Sequence, residues 1–130
     1  MNDIIVKYRE GIEDKPDWWE LYSALQEELL DGKILVIPVG YVTDFASVPM
    51  FLWSFFPPIG KYNRAALVHD FLYDSQYRLG ELGEHEARKF ADMEFLRIAN
   101  RVDSQSKLKH YLMFQFIRWF GVHAWRRCKS

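Results

Sequence analysis

Residues 65–74, Ala-Ala-Leu-Val-His-Asp-Phe-Leu-Tyr-Asp, taken with Phe-Ala-Asp-Met-Glu-Phe at 90–95, constrain this chain more than any other feature. Both stretches repeat apolar residues at helical spacing, yet each carries ionisable side chains inside its apolar run. Positions four apart stack on one helix face, so His69 and Tyr73 point the same way, and the small Ala65 and Ala66 leave room for a neighbour. Asp70 lies about 100° further round the axis and can face the same cleft without competing for the same hydrogen bond. Asp92 has Ala91, Phe95, Leu96 and Ala99 at helical spacings around it, and burying such a carboxylate is costly unless it is paired. The expected partner is His69, across an antiparallel helix pair with a short connection.

That pairing would have chemical consequences. A carboxylate on one imidazole nitrogen fixes the tautomer and leaves the other nitrogen to take a proton from water. A neighbouring Asp70 suits a hard cation such as Ca²⁺, which polarises an ester carbonyl. His69, Asp92 and Tyr73 are therefore the candidate catalytic residues, and Asp70 the first candidate metal ligand.

The 130 residues fit a single domain, long enough to bury a core without disulfides. The single cysteine, Cys128, forbids an intrachain disulfide and a cysteine zinc cluster, which fits a reducing compartment. The N-terminal apolar run is too short for a signal peptide, and none reaches the roughly 20 residues of a bilayer span. Ile34-Leu-Val-Ile37, bounded by Asp31-Gly32 and by Pro38 and Gly40, reads as one strand of a hairpin. Residues 18–25 are the expected partner strand, although Trp18, Leu21, Tyr22, Leu25 and Leu29 also match a helix. Residues 43–64 read as a long loop with a short helix over 49–55, and helices are expected over 64–78, 84–101 and 104–127. The fold class is thus α+β: an N-terminal antiparallel hairpin or small sheet, then a three-helix region.

Charge is unevenly distributed. Residues 104–130 hold six basic and no acidic side chains, whereas the rest of the chain holds 11 basic and 18 acidic ones. With its aromatics on more than one face, this segment is the expected contact for an anionic lipid surface or another protein. The bland reading is a helix docked on its own acidic body. No clear nucleic-acid site is expected.

The pattern Ala-Ala-x-x-His-Asp-x-x-Tyr-Asp followed by Ala-Asp-x-x-Phe resembles the catalytic helices of phospholipase A2, above all the short disulfide-free type of parvovirus capsid proteins. The resemblance covers about 30 residues and implies His69 as general base, Asp92 as its orienting group, Tyr73 as a buttress of Asp92 and Asp70 as a Ca²⁺ ligand. The glycine-rich calcium loop of those enzymes is replaced here by Pro57-Pro58-Ile59-Gly60-Lys61, so Gly60 is the one glycine left to offer a backbone carbonyl and Ca²⁺ binding should be weak.

A second resemblance spans most of the chain. Gly-Tyr-Val-Thr-Asp-Phe-Ala-Ser-Val-Pro (40–49), residues 57–74, residues 88–95 and residues 118–126 are similar to a family of small tailed-phage and prophage proteins without an assigned activity. It implies a phage-encoded protein made in the host cytoplasm, with association to the virion and contacts to other phage structural proteins as further expectations.

Each of these residues has a plainer reading. His69, Asp70, Tyr73 and Asp92 would also serve as a buried hydrogen-bond network locking two helices together. Asp44 is either a further metal ligand or a turn former, and Ser47 either a helix N-cap or a nucleophile for His69 and Asp92. Phe51, Leu52, Trp53, Phe55 and Phe56 read as core or as a lipid-docking rim. Arg88, four residues before Asp92, reads as its helical ion-pair partner, or that of Asp70. His85, His110 and His123 read as helix-surface residues. Three functions remain: an ester hydrolase of the phospholipase A2 kind, a non-enzymatic virion or assembly component, and a metal hydrolase using Asp44, His69, Asp70 and Asp92.

Overall fold

The structure, a computed structural model, describes residues 6–9, 18–43, 52 and 61–127. The chain divides into two compact units, residues 1–45 and 46–130. The first is antiparallel β structure and the second is helical, as the α+β expectation requires.

In the first unit, β1 (Val6–Arg9), β2 (Trp18–Leu21) and β5 (Val42–Thr43) form one sheet in that order, while β3 (Leu25–Glu28) and β4 (Ile34–Ile37) form a separate hairpin. The strand at 34–37 is where the sequence places it, but its partner is 25–28 and not 18–25. The turn decides this. Leu29 N–H donates to the Lys33 carbonyl at 2.8 Å, Asp31 Oδ1 accepts from the Lys33 amide at 3.0 Å, and Gly32 adopts φ +83°, a conformation an L side chain resists. So short a closure sets Glu28 opposite Ile34 and Leu25 opposite Ile37, leaving Trp18–Leu21 to pair with β1 and β5. Alternation then puts Leu25, Leu35 and Ile37 on a buried face and Gln26, Glu28, Ile34 and Val36 on an exposed one. The helical reading of residues 18–29 is thereby excluded.

In the second unit, α1 (Asn63–Ser75) packs on α3 (Glu84–Val102), α3 on α4 (Lys107–Phe120), and α5 (Val122–Arg127) returns to α1. A four-residue α2 (Leu79–Leu82) was not expected. The helix expected over 104–127 is broken at Gly121 into α4 and α5. α1 ends where Gln76 turns left-handed, letting the Tyr77 amide reach the Leu72 carbonyl at 3.1 Å. This is a C-terminal cap normally given to glycine. Gln76 is held in it by a 3.0 Å bond from its side-chain nitrogen to the Trp125 carbonyl. The buried stripes match the sequence periodicity: Leu67, Val68 and Leu72 on α1, Ala87, Ala91, Phe95 and Ile98 on α3, Met113 and Ile117 on α4. Leu52 is buried, while the rest of the expected 49–55 helix lies outside the described residues.

Candidate active site on the α1–α3 interface

α1 and α3 bring His69, Tyr73 and Asp92 together. His69 Nε2 is 2.7 Å from Asp92 Oδ1, and the Tyr73 hydroxyl donates to the same oxygen at 2.7 Å. A carboxylate oxygen accepts, so the imidazole N–H at Nε2 is the donor of this bond. The His69 ring also leans on Tyr73, with centroids 4.3 Å apart, and meets Phe95 edge-on at 5.6 Å. His69, Tyr73 and Asp92 are all 0% exposed. Burial first, then the charge of Asp92, pushes the Tyr73 phenol well above its usual range, so it remains a hydrogen-bond donor.

The other carboxylate oxygen has a partner that sequence reasoning missed. Arg118, on α4, donates from Nη1 to Asp92 Oδ2 at 2.8 Å. Arg88, the expected ion-pair partner, lies farther away at 3.9 Å from the same oxygen. It spends its donors instead on the Arg118 carbonyl at 2.8 Å and the Ile117 carbonyl at 3.3 Å. Neither arginine displaces His69, because each approaches Oδ2 while the histidine holds Oδ1. Arg118 is 26 residues from Asp92, and no local spacing rule links such a pair; its one sequence signal is that it is the single charge between residues 111 and 120, the apolar part of α4.

Asp70 is buried beside this cluster on α1. The other expected ligands, Asp44 and Gly60, and the candidate nucleophile Ser47 lie outside the described residues. Among the described residues no group of three or more His, Cys, Asp or Glu side chains is arranged to hold a metal ion. Of Asp44, Gly60 and Asp70, Asp70 is the one among the described residues, and Ca²⁺ takes 6–8 oxygens.

Gly121 fits against this cluster. A Cβ there would lie 2.6 Å from both the Tyr73 hydroxyl and the Ile117 carbonyl. Gly121→Ala should therefore destabilise the fold by about 1–3 kcal/mol, as overpacking does, through the Tyr73–Asp92 bond or the α4–α5 junction. Chemical unfolding with a lowered midpoint and unchanged slope is the check; an unshifted midpoint would mean the contact relaxes without cost.

A second polar cluster joins the start of α1 to α3 and α4. The Tyr62 hydroxyl lies 2.9 Å from His110 Nε2 and 3.1 Å from Asp103 Oδ2, His110 Nδ1 is 2.8 Å from Asn100 Oδ1, and Lys61 caps Asp103 at 3.0 Å. His110, expected on a helix surface, is fully buried, whereas His85 and His123 are exposed. The missed signal is its spacing to Met113 and Ile117, three and seven residues on, which puts all three on one stripe. Burial and the Asp103 carboxylate push the Tyr62 phenol up to about 12. An unfolded tyrosine ionises near 10. The native state therefore holds a proton that the unfolded state has lost, and stability should fall as pH rises from about 10 to about 12. Comparing unfolding midpoints of wild type and Tyr62→Phe across that window checks it, since the variant should lack this part of the fall.

The geometry thus defines a small α+β protein whose helical unit is built round a buried His–Asp–Tyr cluster tied to a third helix by arginine. The chain belongs to the family described as a protein of unknown function, DUF1353, which matches residues 19–127. Comparison with curated proteins and with solved structures finds no match.

Proposed function

We propose that the chain is an ester hydrolase in which His69 is the general base, Asp92 orients it and Tyr73 buttresses Asp92. The observation that supports this reading most is the sharing of Asp92 Oδ1 by His69 Nε2 and the Tyr73 hydroxyl, each at 2.7 Å. In this mechanism Nδ1 takes a proton from water as the water oxygen bonds to the acyl carbon. When the tetrahedral intermediate collapses, the bond from that carbon to the alcohol oxygen breaks. The imidazolium then returns its proton to the departing alkoxide. The resemblance to phage and prophage proteins extends the proposal to a phage-encoded enzyme acting on an ester of the bacterial envelope. The test is hydrolysis of phospholipid and of a simple chromogenic ester by the wild type and by His69→Gln, with the unfolding midpoint of each measured alongside.

The second reading is a non-enzymatic virion or assembly component in which the cluster locks helices together. It is favoured by the complete burial of His69 and Asp92 and by Arg118. A guanidinium 2.8 Å from Asp92 already balances its charge and weakens the pull of that carboxylate on an imidazolium.

A further inference from the structure

We propose that the outer face of α4 docks on an anionic lipid surface. Leu108, Tyr111, Leu112, Trp119 and Phe120 are 74%, 48%, 53%, 65% and 45% exposed, all within one helix of 14 residues. At 100° per residue Leu108, Tyr111, Leu112 and Trp119 fall within an arc of about 100°, opposite the buried His110, Met113 and Ile117, and Phe120 falls at the margin beside Met113. Phe116 ties the far end together, edge-on to Trp119 at 5.8 Å and stacked on Phe120 at 6.2 Å. The result is a convex apolar ridge about 18 Å long, from the 12 steps between Leu108 and Phe120 at about 1.5 Å each.

Charge selects the occupant. No acidic residue occurs from 104 to 130. Arg118 and Arg126 are used internally, bonding Asp92 at 2.8 Å and Glu84 at 3.1 Å. Lys107 is exposed beside the ridge by helical position, Lys109 on its other side holds its ammonium over the Tyr62 ring at 5.5 Å, and Arg127 is exposed just beyond it. A second copy seated on this face would bring these like charges together across a twofold axis. A bilayer interface instead accepts a convex ridge, takes tyrosine and tryptophan rings at its polar boundary and is complementary in charge.

Flotation of the full chain with vesicles tests it. The protein should float with phosphatidylglycerol-containing vesicles at low salt, float less with pure phosphatidylcholine, and detach as salt rises. The exposed-residue double variant Leu112→Ser/Trp119→Ser should lose about tenfold or more of the partitioning with an unfolding midpoint no lower than wild type. No flotation with the anionic vesicles, or equal flotation of the variant, overturns the proposal. So does a discrete oligomer in size-exclusion chromatography that the variant abolishes, which would make the ridge an interface between copies.

Discussion

Asp92→Ala is expected to destabilise the protein by roughly 3–5 kcal/mol, the usual consequence of removing one member of a buried charged pair. The carboxylate is completely buried and accepts from His69, Tyr73 and Arg118, which sit on two other helices. Its loss strands a guanidinium, a phenol and a ring N–H in a site built for an anion. Denaturant unfolding measures the effect, and a double-mutant cycle with Arg118→Ala apportions it. A loss below about 1 kcal/mol would be that of an ordinary hydrogen bond, and would remove Asp92 as the organising acceptor of the helical unit.

His69→Gln is expected to lower ester hydrolysis by about 10²–10⁴-fold, the range typical of a general base. The amide can still donate to Asp92 Oδ1, so the unfolding midpoint should move little, but it offers no basic lone pair. Comparing rate and midpoint in the same preparations separates the two readings. Folded wild-type protein without esterase or phospholipase activity would end the hydrolase reading. A variant as active as wild type would remove His69 from the chemistry, and a large fall in midpoint without any wild-type activity would leave the network structural.

Much of this molecule was legible in its sequence because the relevant physics is local. Period-3.6 burial marks α1 and α3 to within a few residues, and the β-branched run after Asp31-Gly32 marks β4. The same local logic paired His69 with Asp92, since a carboxylate among alanines and phenylalanine needs a partner and the preceding helix offers one. Apolar spacing at 18–29 fits strand and helix alike and so does not single out the partner of β4; the hydrogen bonds of the turn, not propensity, choose 25–28.

Tertiary structure decided the rest. Arg118 reaches Asp92, and His110 reaches Tyr62 and Asn100, across 26, 48 and 10 residues. Such contacts follow from how α4 lies against α3, and a single sequence does not encode that placement in any local pattern. Sequence periodicity could say that α4 had more apolar surface than one face needs. Only packing determined which face was covered, burying Met113 and Ile117 and leaving Leu108, Leu112 and Trp119 exposed. The difference is physical: residue type and spacing set what each segment must satisfy, whereas which distant group satisfies it depends on the packing of whole helices.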